Sequence, residues 1–158
     1  YLLQGNEKRK NDLYRLLYDE EAKIAYQAAW VLSHLSRSEN EWLYDKQYAL
    51  IDELMKCVHE GKRRLLLTLL YRQPLETPPR VDFLDFCFAQ MMDANVSIAV
   101  RALSMKIAYE LCLPIPELLE EMKAMLEMLD EQTLSSGLCA TRRNILKAMH
   151  TRTSLQDL

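Results

Sequence analysis

The sequence predicts an all-α fold, and three observations lead there. The 158-residue chain is 49 % hydrophobic yet holds only three Gly and five Pro. That balance excludes collagen-like and low-complexity classes and disfavours a β-sandwich. Apolar residues recur at helical spacing almost throughout, and no stretch alternates convincingly as a strand does. Cap and turn residues interrupt the pattern at short intervals. The length suits a single domain spanning 1–158 and is too short for two ordinary ones.

The elements follow in order, at about 7–18, 20–37, 39–60, 61–73, 78–93, 96–112, 115–131 and 135–150. Asp19, followed by Glu20 and Glu21, reads as an N-cap with acids suited to the positive end of the helix dipole. Ser38-Glu39-Asn40-Glu41 reads as a capping box. In 39–60, Tyr44, Tyr48, Ile51, Met55 and Val58 form one stripe, with Leu43, Leu50, Leu54 and Cys57 beside it. So wide an apolar face predicts a helix with neighbours on two sides. Gly61 breaks the chain there. Thr77-Pro78 reads as a cap with Pro at the first helical position. Pro114 and Pro116 separate two further helices, the second carrying the stripe Leu118, Met122, Met125 and Leu129. Ser135-Ser136-Gly137 opens the last. The polar tail from Thr151 to Leu158 is expected to fray.

Eight helices on short turns invite a search for repeats. Aligned, the second, fourth, sixth and eighth read A-Y-Q-A-A-W-V-L from Ala25, K-R-R-L-L-L-T-L from Lys62, A-V-R-A-L-S-M-K from Ala99 and T-R-R-N-I-L-K-A from Thr141. Their third positions are Gln27, Arg64, Arg101 and Arg143. Asp19 and Asp93 each stand eight residues before the first and third of these. This pattern resembles the HEAT-repeat family, with Val100-Arg101 and Asp93 as the best match. Arg64 and Arg143 match at the Arg alone, and Gln27 departs from the pattern, as terminal repeats often do. The resemblance covers about 7–150. It implies an α-α superhelix, a short solenoid of about four antiparallel helix pairs, with repeats near 7–37, 39–73, 78–112 and 115–150. A compact helical bundle is the rival architecture.

The chemistry-bearing residues nominate no catalytic site. His34, His59 and His150 show no zinc spacing, and there is no Gly-rich phosphate loop or nucleophile elbow. The expectation is a non-enzyme with no metal and no cofactor. Cys57, Cys87, Cys112 and Cys139 form no C-x-x-C pair and sit among apolar residues. They read as small core hydrophobes in a reducing compartment, which points to the cytoplasm. No apolar run approaches the ~20 residues of a membrane span. No leader pattern opens the sequence, although a chain opening on Tyr1 leaves a removed leader possible in principle.

Function rests on charge and aromatic patterning. The net charge of −3 argues against a broadly basic surface but allows a local patch. Summed by helix, the second helices of the pairs are net basic and the first net acidic. The resemblance implies that second helices line the inner, usually concave layer, which would then suit an acidic partner. Lys62, Arg63 and Arg64 open a helix, where cations oppose the dipole. Lys62, Arg63, Arg142 and Lys147 read as an exposed patch. Arg64, Arg101 and Arg143 share a repeat position and read as a ladder paired with neighbouring acids. Tyr26, Trp30 and His34 fall on one helical face. They either fill the contact between the first two pairs or present a stacking surface. Trp42 is expected over the same junction. Met122 and Met125 read as core, with Met128 exposed.

The leading reading is a non-catalytic interaction module. It binds a partner protein segment, acidic in character, along the second helices, with Tyr26, Trp30 or Tyr71 as anchors. The alternative is a nucleic-acid-binding protein related in fold to HEAT-like DNA glycosylases, although no catalytic Asp with flanking Trp can be placed here. A third reading is end-to-end homo-oligomerisation through uncapped terminal pairs.

Overall fold

A computed structural model describes residues 6–156. Among the described residues there are eight α-helices: α1 (Glu7–Leu16), α2 (Ala22–Ser33), α3 (Gln47–Lys56), α4 (Glu60–Tyr71), α5 (Val81–Met92), α6 (Ile98–Cys112), α7 (Pro116–Glu127) and α8 (Ser136–Thr151). A 3₁₀ segment, Ser38–Lys46, leads into α3. The described residues contain no strand. The chain divides into two compact units, 1–74 and 75–158.

In the first unit α1 packs on α2, α3 on α4, and α2 on α4. The two second helices therefore stack on each other, which is how helical repeats build a continuous core. α2 buries Ala25, Ala28 and Ala29, small residues that permit a close approach, and α4 buries Leu66, Leu67 and Leu70. At Gly61 the approach leaves no room for a side chain: a Cβ would stand 2.8 Å from the Tyr26 ring. Arg72 reinforces the stack by donating to the Ser33 carbonyl at the end of α2. Asn40, buried in the 3₁₀ segment, donates to the Leu32 carbonyl at 3.1 Å.

In the second unit α6 is the central helix, packed against α5, α7 and α8. Its last turns are buried all round, from Ile107 to Cys112, the signature of a helix enclosed by neighbours. α5 contributes Phe83, Cys87 and Met91 to this core, α7 Met122 and Leu126, and α8 Leu138 and Ile145.

Several boundaries differ from the sequence expectation. The helix expected over 39–60 is a 3₁₀ segment followed by α3, and α3 stops at Lys56 because Cys57 is extended. The expected Ser38 capping box does not form: Ser36 Oγ accepts from Glu39 N at 3.2 Å instead. Gly61 lies inside α4 and does not break the chain. The break falls just before it, and the His59 ring caps α4 by accepting from Lys62 N at 3.1 Å. Asp19 does not cap α2; its carboxylate closes a tight turn by accepting from Glu21 N at 2.8 Å. Pro78 precedes α5 by three residues and does not open it. Ser135 does cap α8, accepting from Leu138 N at 3.2 Å.

The tail does not fray over its described part. Arg152 takes the left-handed conformation, with φ 51°, and turns the chain back onto α6. Tyr109 Oη donates to the Thr153 carbonyl at 2.7 Å. The Glu110 carboxylate accepts from Ser154 Oγ at 2.9 Å and from Leu155 N at 2.7 Å. Burial, with Glu110 beside it, holds the Tyr109 hydroxyl above its usual pKa, so it remains a donor. Residues 157 and 158 lie outside the described part.

This clasp yields a prediction. Tyr109→Phe is expected to cost about 0.5–1.5 kcal/mol of stability, and Glu110→Ala about 1.5–3 kcal/mol, since its bonds involve a charge. Both are expected to accelerate amide hydrogen exchange across 153–156 ahead of the helices. Unchanged exchange there would show that the tail is held by something else.

Candidate functional site

Each turn inside a helix pair must end one helix and start the next within a few residues. The last carbonyls of the first helix are then left without partners. Three arginines answer this. Arg63 donates to the Cys57 carbonyl at 2.6 Å. Arg101, only 7 % exposed, donates from Nε to the Met91 carbonyl at 3.1 Å. Arg142 donates from Nε to the Leu126 carbonyl at 2.7 Å, and its Nη1 lies 3.0 Å from Glu131. In each case the cation also meets the negative end of the first helix's dipole. Aspartates shape the same turns. Asp19, Asp93 and Asp130 each accept from the backbone N–H two residues on, at 2.8, 2.8 and 2.9 Å.

The division expected between paired and exposed cations is reversed at most positions. Lys62 is buried and forms an ion pair with Glu53 at 2.7 Å. Arg63 and Arg142 are half-buried and bonded as above. Arg64 and Arg143, expected to pair internally, are exposed, as is Lys147. Arg101 is internal as expected, but its partner is a carbonyl and not an acid.

The aromatic stripe on α2 also divides. Tyr26 is half-buried, with its ring centroid 5.3 Å from that of His59, so it does fill the contact with the second pair. Trp30 does not: it is 48 % exposed and stacks on the exposed His34 ring at a 3.9 Å centroid separation. His34 Nδ1 lies 2.8 Å from the Trp30 carbonyl, which fixes the ring beside the indole. Trp42 meets α1 instead, edge-to-face with Tyr14 at 6.1 Å, while Lys46 Nζ stands 5.4 and 5.5 Å from the Tyr14 and Trp42 rings. Met122 is buried, Met125 half-buried and Met128 77 % exposed.

A cavity of about 240 Å³ opens between α7 and α8. It is lined by the apolar Leu119, Leu146 and Met149 together with Glu120, Lys123, His150 and Arg152. The sequence nominates none of these polar residues as a binding group. Lys123 and Arg152 lie far apart in the chain, and Arg152 belongs to a tail expected to be loose. The only signal was an Arg at a helix end, where Gly is the commoner residue.

A family model described as a HEAT repeat domain matches residues 1–149. The chain belongs to the HEAT repeat family. Comparison with curated proteins and with solved structures returns no match. HEAT repeats are typically non-catalytic and commonly mediate protein interactions. No described helix is long and apolar enough to cross a membrane. Among the described residues no three His, Cys, Asp or Glu side chains are grouped to hold a metal ion.

Within the HEAT frame the arginines that play equivalent parts are Arg63, Arg101 and Arg142, one residue off the aligned register at both ends. Arg63 and Arg101 stand one turn after their N-cap residues, His59 and Ser97, and Arg142 stands two turns after Ser135. Residues one turn apart share a helix face, so all three reach back to the preceding helix. The four thiols are free. Burial pushes the Cys112 thiol up to about 12, with Glu121 adding to the shift, and raises Cys87 further still. Cys139 is half-buried.

Two predictions follow from this geometry. Arg101→Leu and Arg142→Leu are each expected to lose about 1.5–3 kcal/mol in chemical denaturation, whereas Arg64→Gln stays within about 0.5 kcal/mol of the parent. In native alkylation at pH 8 read by mass spectrometry, Cys139 is expected to react first, with Cys87 and Cys112 protected until the fold opens. Labelling of Cys87 as fast as Cys139 would contradict the closed core described above.

Proposed function

We propose that the chain is a non-catalytic interaction module that holds an acidic segment of a partner protein along the second helices of its pairs. The observation that carries this reading is exposed positive charge on the second helices of each unit taken by itself: Arg64 on α4 in the first, Arg143 and Lys147 on α8 in the second. All three lie on second helices, and none has an ion pair among the described residues. Arg143 and Lys147 are four residues apart on α8 and so share a face. Exposed charges of this kind steer a partner of opposite sign and set specificity more than affinity. Trp30 adds a half-exposed aromatic of the type that anchors interfaces. Free cysteines fit a reducing compartment, which supports a cytoplasmic location.

Nucleic-acid binding is the second reading, favoured by Trp30 alone. One face of its indole rests against His34 while nearly half the residue meets solvent, a surface on which a base can stack. Light scattering at several concentrations reads the remaining possibility, end-to-end self-association, as a rise in mass.

The test uses charge reversal at Arg64, Arg143 and Lys147. Lys62 and Arg63 are left intact, since changing them breaks the Glu53 pair and the Cys57 carbonyl bond. Labelled aspartate-rich peptide and single- and double-stranded oligonucleotides are titrated at low and near-physiological salt. The parent is expected to prefer the peptide and the triple variant to weaken it by at least about tenfold, roughly 1.4 kcal/mol. Oligonucleotide binding that persists at near-physiological salt would favour the second reading. Absence of any binding would overturn both.

A further inference from the structure

We infer that the groove between α7 and α8 is a docking site for an acidic segment of a partner protein, which seats an apolar side chain in the cavity and places carboxylates on Lys123 and Arg152. This inference rests on the interaction-module reading and assigns it a site.

Size argues first. The cavity, about 240 Å³, falls below the roughly 300–1,000 Å³ of small-molecule and cofactor sites. It is large enough for one or two side chains. Three of its lining residues are apolar: Leu119 is buried, while Leu146 and Met149 are half-buried and reachable from outside. A methionine in such a lining adapts to the shape of what enters.

Charge argues next. Lys123, His150 and Arg152 line the cavity, and the single acid of the lining is Glu120. Glu120 and Lys123 are three residues apart on α7, a spacing that permits an ion pair, yet they form none in the structure. Neither Lys123 nor Arg152 has an ion pair among the described residues. Arg143 and Lys147 continue the positive charge along α8. The complement of this surface is an apolar residue flanked by acids.

The backbone supplies an independent observation. Arg152 has φ 51° and ψ 42°, the left-handed cap conformation that Gly adopts without penalty and other residues rarely adopt. The clasp of Thr153, Ser154 and Leu155 on Tyr109 and Glu110 holds it there. A Gly would cap α8 at least as well. The Arg adds a cation to the lining of the groove.

The experiment is fluorescence anisotropy with a labelled peptide carrying a leucine pair between aspartates, at near-physiological salt, using the full chain. A second peptide has every aspartate replaced by asparagine. Arg152→Gly is expected to raise Kd about threefold while leaving the thermal midpoint unchanged or higher. Adding Lys123→Gln takes the loss to about tenfold, and Lys8→Gln, an exposed cation on α1, leaves Kd unchanged. Peptide binding that ignores the double variant would overturn the groove while the interaction-module reading stands. No binding by the parent would overturn both. Equal binding of the asparagine peptide would overturn the acidic assignment. Tighter binding of a single-stranded oligonucleotide that the double variant abolishes would assign the groove to nucleic acid and overturn the peptide.

Discussion

The carbonyls at the end of each first helix are the constraint around which these pairs are built. The α1–α2 turn meets them from its own backbone, with Leu17, Tyr18 and Asp19 N donating to Tyr14, Arg15 and Leu16; in the other three pairs side chains are recruited, since burying carbonyls unpaired is costly. Arg63 and Arg101 reach back across the turn from the following helix to the Cys57 and Met91 carbonyls, and Arg142 adds a second donor to the Leu126 carbonyl, which Leu129 N also serves at 3.2 Å. The guanidinium suits the task because it donates in several directions and keeps its charge when partly buried. Each arginine thus ties the start of the second helix to the end of the first and fixes the geometry of the pair. What looks locally unfavourable, a cation at a helix N-terminus, becomes favourable once the neighbouring C-terminus is included.

The same logic extends to the other buried polar groups. Lys62 and Glu53 join α3 to α4, Asn40 serves a carbonyl of α2, and Glu110 collects the tail. Each spans two elements that hydrophobic packing alone would leave free to slide. In the second unit this matters most for α6. It is enclosed so fully that its register depends on Arg101 at one end and on Tyr109 and Glu110 at the other.

The helical class, the number of helices and the pairing were legible because periodicity and punctuation are local signals. The 3₁₀ segment before α3 was not, because Ser38 to Glu41 carries the residues of a capping box and the deciding contact is Asn40 with α2, a tertiary bond. Asp19 was misread for a related reason. Aspartate suits both an N-cap and a turn two residues long, and only the following backbone separates them. For Trp30 the stripe leaves an interior contact and an exposed stacking surface both open, because a stripe says which residues share a face and not whether that face is covered. Lys123 and Arg152 were invisible because they meet only after the chain has folded.

The arginine doublets show how structural and functional charge are kept apart. Successive residues on a helix point about 100° apart, as 3.6 residues per turn requires. In Arg63-Arg64 and Arg142-Arg143 the first member turns inward to a carbonyl and the second turns to solvent. At the third pair the doublet is absent: Val100 is buried, Arg101 reaches Met91, and Ala102 follows. A single arginine is therefore sufficient to close a pair, and the second member of each doublet is surplus to the fold. Net charge summed by helix counts both members alike and overstates the basic surface. The surplus, Arg64 and Arg143, is the part of that charge that folding leaves unexplained, and on α8 it runs on through Lys147 toward the groove beside α7.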